Sequence, residues 1–128
     1  MSKDIIHTNK APAAVGPYSQ AVATTSNKIV FLSGQIGFVP ATGELVTTSF
    51  EEQVKQAFAN MAAVIEAAGG NLNHIVKLNL YLTDLNNFSV VNEIMAAVIP
   101  QPFPARSTVG VASLPKGASF EVEAIIAL

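Results

Sequence analysis

The chain has no cysteine and no tryptophan among its 128 residues. Without a thiol it can form no disulfide, zinc finger or iron–sulfur ligand set, and it has no cysteine nucleophile. Charge is scarce too: 12% of residues are Asp, Glu, Lys or Arg, about half the share usual in a soluble domain. The seven Lys and Arg form no basic run and the net charge is −2, so the cationic footprint that a phosphate backbone attracts is missing. No apolar run approaches the ~20 residues of a membrane span. Residues 1–14 carry Lys3, Asp4, His7 and Lys10 in place of a signal peptide's apolar centre.

Apolar side chains, by contrast, are abundant: 50% of residues are hydrophobic and the mean hydropathy is +0.41. A single domain over residues 1–128 suits this length, but a monomer this poor in charge would struggle to cover itself. The surplus is expected in subunit contacts, which predicts a cytoplasmic homo-oligomer.

Ile5 and Ile6 suggest a short opening strand, followed by a Pro-rich loop over residues 10–17. Residues 18–25 and 28–33 read as two strands joined as a hairpin across Ser26 and Asn27. Gly34 interrupts a strand pattern, as glycine does where another group must come close. Residues 40–43, Pro first and Gly last, form a turn. Ser49 with Glu52 has capping-box spacing and opens a helix with apolar residues at Phe50, Val54, Phe58, Met61 and Ile65, closed by Gly69 and Gly70. Residues 74–83 alternate, with Val76, Leu78, Leu80 and Leu82 on one face and Ile75, Lys77, Asn79 and Tyr81 on the other. A second helix, capped by Asn86 or Asn87, carries Phe88, Val91, Met95 and Val98 and ends before Pro100, Pro102 and Pro104. Two helices on one face of a largely antiparallel sheet make an α+β sandwich.

The chemistry concentrates in residues 103–126. Residues 106–112 and 119–127 look like neighbouring strands around a Leu-Pro-Lys-Gly turn. Alternation sets Arg106, Thr108 and Gly110 on one face of the first, and Glu121 and Glu123 opposite Phe120, Val122, Ala124 and Ile126 on the second. If the polar faces coincide, one cation and two carboxylates share a surface, a candidate site for a small charged ligand. A structural ion pair at a sheet edge is the alternative.

Other motifs carry less. Ser113 and Lys116 have S-x-x-K spacing, but Pro115 and Gly117 make this a turn, whereas serine–lysine chemistry sets the pair on a helix. Asn87-Phe-Ser89 fits a glycosylation acceptor and reads better as helix capping. His7 and His74 lie on separate elements without ligand spacing, so no metal site is expected. There is no P-loop and no G-x-G-x-x-G. By residue type alone, Tyr18 reads as a core edge or a site residue, and Asn92 as part of a solvated helix face.

Gly16-Pro-Tyr-Ser-Gln-Ala21, Ser33-Gly-Gln35, Pro40-x-Thr-Gly-Glu44, Asn60, Ala67-Ala-Gly69, Val76-Lys77, Asp84-Leu-Asn-Asn-Phe88, Val91-Asn92, Pro104-Ala-Arg-Ser107, Leu114-Pro-Lys116 and Glu121-Val-Glu123 run in order to the C-terminus. Together they resemble the RidA family, the YjgF-type imine deaminases. The resemblance implies a chorismate-mutase-like α+β unit of two helices and six mostly antiparallel strands. It also implies a homotrimer with pockets between subunits. The implied reaction is hydrolysis of 2-imino acids or their enamine tautomers, such as 2-iminobutanoate and 2-iminopropanoate, to 2-oxo acids and ammonia, with no cofactor and no metal.

Carried over residue by residue, Arg106 would grip the substrate carboxylate through its planar fork, and Glu121 would position or deprotonate water. Tyr18, Ser33, Gly34, Asn92 and Thr108 fall on substrate-binding positions. Thr108 stands where many members have cysteine, and the stretch between Asn92 and Arg106 is shorter than usual, which bears on substrate preference. Two other classes remain. One is a non-catalytic module that binds small carboxylates, linked to isoleucine or purine metabolism. The other is RNA cleavage or translation inhibition, a label the family has carried, against which the acidic balance and separated histidines argue. The expected partners are a small 2-imino or 2-oxo carboxylate and further copies of the chain, with no nucleic acid and no membrane.

Overall fold

The computed structural model describes residues 3–128. Eight strands and two α-helices follow one another as β1 (Lys3–Ile6), β2 (Ala21–Thr24), β3 (Ile29–Phe31), β4 (Phe38–Val39), β5 (Glu44–Leu45), α1 (Phe50–Ala67), β6 (Ile75–Leu82), α2 (Phe88–Val98), β7 (Ala105–Gly110) and β8 (Phe120–Ala127). The principal sheet has four strands in the order β3-β8-β6-β7, and β1-β2 and β4-β5 form separate antiparallel pairs. Six strands in one sheet were expected. The structure instead joins the β1-β2 pair to the principal sheet through a single parallel bridge, Ser19 to Ala105.

Both helices cover the same sheet face, as the sequence predicts. Helix α1 begins at Ser49, whose hydroxyl accepts from the Glu52 backbone N–H at 3.0 Å, and Glu51 and Glu52 lie where the helix dipole favours negative charge. Its stripe buries Val54, Ala57, Phe58, Met61 and Ile65. Gly69, at φ +91°, then adopts the left-handed geometry that ends the helix. Helix α2 buries Val91, Ile94 and Met95. Asn87 stands at its cap position without a side-chain bond, at φ −88° and ψ 4° instead of the extended backbone of a capping residue, because it closes the short 3-10 turn that Asp84 caps by accepting from the Asn86 N–H at 2.9 Å.

The two central strands supply the other half of the core: Leu78, Leu80 and Leu82 from β6, Phe120, Val122, Ala124 and Ile126 from β8. Each fully buried Leu, Ile or Phe contributes about 1.5–3 kcal/mol of transfer free energy. Strict alternation puts Val76 on the leucine face. The structure buries Ile75 there instead, because the β6–β8 register shifts between Ile75 and Lys77, and a bulge moves one residue to the other face.

Two larger expectations are corrected. Residues 18–25 and 28–33 do not form a hairpin with each other; β2 pairs with β1, and β3 pairs with β8. The strands carrying Arg106 and Glu121 are not neighbours either, since β6 lies between them. The cause is the crossover helix. Segment β6–α2–β7 is a βαβ unit, whose helix returns the chain parallel to its first strand, so β8 takes the remaining edge of β6, antiparallel. Among the described residues no helix is long and apolar enough to cross a membrane.

Candidate functional site

Register decides what faces what. Leu78 is paired with Arg106 on one side and Ala124 on the other, and Leu80 with Thr108 and Val122. Directly paired residues share a face, so Arg106 and Thr108 lie on the helix side, at the β7 end of the sheet. Tyr81 is paired with Glu121, and Asn79 with Glu123, so both carboxylates lie on the outer face. The expected shared surface for Arg106, Glu121 and Glu123 is therefore absent within the chain. Each side chain alternates as its own strand requires. The β6–β8 and β6–β7 registers, invisible in either strand alone, set the two polar sets back to back.

Arg106 occupies a cavity of about 310 Å³ lined by Val15, Tyr18, Phe88, Asn92 and Thr108. Its guanidinium carbon lies 4.8 Å from the centre of the Tyr18 ring and 5.3 Å from that of Phe88, so two aromatic walls hold it. Nη1 donates to Asn92 Oδ1 at 2.6 Å and points at Met95 Sδ at 3.6 Å. Tyr18 is brought there by its neighbour: Ser19 N donates to Pro104 O at 3.0 Å and Ser19 Oγ to Phe103 O at 2.5 Å, which ties the chain before β2 to the start of β7. Gly16 passes so close that a Cβ would lie 3.2 Å from Arg106 Nη2.

The cation has no carboxylate beside it. Among the described residues the ion pairs are those of Lys55 with Glu51 and Glu52. Burial lowers the Arg106 pKa, with Tyr18 acting in the opposite sense, and the group remains a cation at neutral pH. A half-buried guanidinium paired only with an amide oxygen and a thioether is short of one anion. Thr108 Oγ1, in the same cavity wall, is buried without a hydrogen-bond partner.

Glu121, on the outer face, lies against Gly34. A Cβ on Gly34 would be 2.6 Å from Glu121 Oε1 and 2.8 Å from its carboxyl carbon, which explains why the strand pattern breaks at a glycine here. The backbone from Leu32 to Gln35 runs beside β8: Leu32 N donates to Ala124 O at 2.9 Å, Gln35 N to Val122 O at 2.7 Å and Val122 N back to Gln35 O at 3.0 Å. Ser33 and Gly34 are thereby placed with Glu121.

The two outer carboxylates differ in what they hold. Glu123 Oε1 accepts from Tyr81 Oη at 2.5 Å and from Asn79 Nδ2 at 3.1 Å. That bond to Glu123, with burial and the charges of Glu123 and Glu121 adding to it, pushes the Tyr81 hydroxyl up to about 12. Glu121 receives no side-chain donor among the described residues, so it is the carboxylate left open to a ligand or water.

The structure thus groups Tyr18, Asn92, Arg106 and Thr108 in one place and Ser33, Gly34 and Glu121 in another. Sequence reasoning missed Phe88 and Val15 as cavity walls and Met95 as a buried neighbour of the guanidinium. Phe88 had a signal: it stands four residues before Asn92 on α2, so the two share a helix face. The wider groove of about 500 Å³ between residues 71–73 and the end of α2 contains no charged side chain and lies apart from both groups.

The family model described as Endoribonuclease L-PSP matches residues 8–128. The solved structure of RidA from the Antarctic bacterium Psychrobacter sp. aligns over 98% of this chain and 99% of its own, at 50% identity and a TM-score of 0.76. The chain belongs to the RidA family. A family member of Dermatophagoides farinae, named 2-iminobutanoate/2-iminopropanoate deaminase, is 47% identical over 98% of this chain and 97% of its own. The structure of E. coli TdcF, solved with bound serine, is 38% identical, the alignment covers 98% of each chain and the TM-score is 0.71.

Proposed function

We propose that the protein hydrolyses small 2-imino acids or their enamine tautomers to 2-oxo acids and ammonia, without metal or cofactor, in sites built between two copies of the chain. The observation that carries this reading is complementary incompleteness. Arg106 is a half-buried cation lacking an anion, and Glu121 is an open carboxylate on the other face of the same sheet. A second copy that sets its outer face against the cavity mouth would bring the two to one ligand. The outer surface suits such burial: Phe31 is 75% exposed, with Ile29 and Val109 also exposed, and apolar exposure of this kind marks contact surfaces. A closed homotrimer is the assembly we expect.

In that site Arg106 holds the substrate carboxylate as a charge-assisted fork, backed by the Tyr18 and Phe88 rings. Asn92 fixes the guanidinium, and Thr108, Ser33 and Gly34 line the path to C2. Glu121 takes a proton from water as its oxygen bonds to C2 and the C=N electron pair moves to nitrogen. Glu121 returns that proton to nitrogen, giving the neutral carbinolamine, and then carries the hydroxyl proton to the same nitrogen as C=O forms and the C–N bond breaks, so that ammonia leaves and the 2-oxo acid is released. An already electrophilic C=N carbon makes a covalent enzyme nucleophile unnecessary. The deaminase relative and the serine-bound relative, whose ligand carries both a carboxylate and a nitrogen on C2, support the substrate class.

Neither histidine is arranged for RNA cleavage, since His7 Nε2 is engaged with Asn9 at 3.2 Å and His74 Nδ1 accepts from the Asn71 N–H at 2.9 Å. The deciding experiment supplies threonine dehydratase product and measures ammonia and 2-oxobutanoate release for wild type, Arg106→Ala and Glu121→Ala. Release that depends on both side chains supports the reading. Rates equal to wild type in both variants remove it, and carboxylate binding without turnover in the wild type favours a regulatory module.

A further inference from the structure

We infer that Gln53 is a positioning residue that sets Glu121 against Gly34, an assignment that rests on the deaminase reading for its kinetic consequence but not for its geometry. Gln53 is the one buried polar side chain of the described residues, 5% exposed, on the core face of α1. A buried amide needs partners for both ends, and here each end reaches one wall of the Glu121 group. Its Oε1 accepts from Ser119 N at 2.7 Å, at the entrance to β8 and two residues before Glu121. Its Nε2 donates to Val46 O at 2.9 Å, at the exit of the segment that begins with Ser33 and Gly34.

The segment is fixed to the helix at further points. Val46 N donates to Gly37 O at 2.9 Å. Gly37 lies so tightly on Gln53 that a Cβ there would be 2.6 Å from the Gln53 carbonyl oxygen and 2.7 Å from its Cγ. Two turns along α1, Asn60 Nδ2 donates to Ile36 O at 3.1 Å and to Phe38 O at 2.8 Å. The backbone bridge between Gln35 and Val122 then closes the ring. Glu121 therefore lies between two points, Ser119 and Val122, one held directly by Gln53 and the other by a loop that Gln53 anchors.

None of these contacts reaches the Arg106 cavity, and that separation makes a role in positioning distinguishable from general stability. Loss of the Gln53 bonds should loosen the base and leave the carboxylate grip alone. The test uses the full-length oligomer with Gln53→Met, which keeps the side-chain length and removes both bonds, and Gln53→Glu, which keeps the acceptor for Ser119 N. Amide hydrogen exchange at Gln35 and Val122 should rise at least tenfold in Gln53→Met while the β6–β7 ladder keeps its protection. In the deaminase assay kcat should fall at least tenfold, with KM and the Kd for 2-oxobutanoate within twofold of wild type, and Gln53→Glu should retain more kcat than Gln53→Met.

Unchanged exchange at Gln35 and Val122 overturns the inference, as does a kcat per folded molecule within twofold of wild type, or a parallel loss in kcat and 2-oxobutanoate binding. If Gln53→Met does not fold, Gln53→Asn, one methylene too short to span Ser119 and Val46, carries the same measurements. Should Arg106→Ala and Glu121→Ala both turn over like wild type, the deaminase reading falls instead, and the exchange data still decide whether Gln53 holds this loop to β8.

Discussion

The helix-side cavity at β7 and the outer face of β8 are opposites in charge and in construction. The first surrounds one cation with aromatic rings, an amide and a thioether and offers it no carboxylate. The second has two carboxylates on one strand, one engaged through Oε1 by Tyr81 and Asn79 and one open beside a glycine. A lone buried charge is costly, and each side lacks what the other has, yet the sheet keeps them apart within a protomer. Under the deaminase reading the unit of chemistry is therefore a pair of chains, with grip on one and reaction on the other.

If that division is real, the two sides fail differently. Glu121→Gln should lower kcat by ~10²–10⁴-fold, the usual contribution of a positioned acid–base group, and leave 2-oxobutanoate binding nearly intact. Arg106→Ala should weaken KM and 2-oxo acid Kd by ~10²-fold, about 3 kcal/mol for removing a partly desolvated charge-assisted contact. Arg106→Lys should recover only part, because an ammonium cannot copy the fork. Steady-state kinetics with direct binding checks both, and equal damage to kcat and Kd in both variants would erase the distinction.

A sharper test mixes the two dead variants. Unfolding and reassembling equal amounts of Arg106→Ala and Glu121→Ala gives sites that combine an intact Arg106 from one copy with an intact Glu121 from another. Random mixing should restore roughly a quarter of wild-type activity, since each half of a site is intact half the time when subunits exchange freely in a symmetric oligomer. Activity that stays at the level of the unmixed variants would show both groups working from one chain.

How far the sequence foretold this follows from what each signal depends on. Helix α1 was legible because cap, stripe and terminal glycine are all local: Ser49, the residues from Val54 to Ile65, and Gly69. Alternation along β8 correctly separated Glu121 from Phe120 and Val122. The relation between strands was not legible, because strand order depends on the crossover through α2, and no local pattern records that β6 lies between β7 and β8. The same gap hid the opposed faces of Arg106 and Glu121. The bulge at Val76 shifted a face that perfect alternation misassigned. The motif resemblance named Tyr18, Asn92, Arg106 and Thr108, which line one cavity, whereas Phe88 and Met95 read as ordinary core positions, since nothing local records that the Phe88 ring and the Met95 sulfur face the guanidinium.

Two glycines repeat the comparison at smaller scale. An added methyl at Gly34 would meet Glu121 Oε1 at 2.6 Å, too close for any real contact, and one at Gly16 would meet Arg106 Nη2 at 3.2 Å. Gly34→Ala must push the carboxylate aside, so kcat should fall about tenfold, a barrier increase of ~1.4 kcal/mol. Gly16→Ala asks the guanidinium to give by a few tenths of an ångström, and KM should rise about threefold, ~0.7 kcal/mol. Purified variants compared in the same assay would weaken the split if Gly34→Ala changed KM alone.

The smallest effect concerns the two glutamates themselves. Tyr81 keeps Glu123 occupied, so Tyr81→Phe should lower stability by roughly 1 kcal/mol, the usual worth of one partly exposed hydrogen bond, and change kcat less than threefold. The loss has a pH signature. The Tyr81 hydroxyl titrates at about 12 in the fold, against about 10 in an unfolded chain. The neutral phenol therefore stabilises the fold in full below pH 10, and its contribution disappears as pH rises from about 10 to about 12. Urea unfolding from pH 7 to 12 should show wild type and Tyr81→Phe converging over that window; a constant gap up to pH 12 would mean that the Tyr81 pKa is not raised in the fold. A kcat for Tyr81→Phe as low as that of Glu121→Gln would reverse the roles given to the two carboxylates, because only a residue that keeps the reacting group in place could cost that much without touching the substrate.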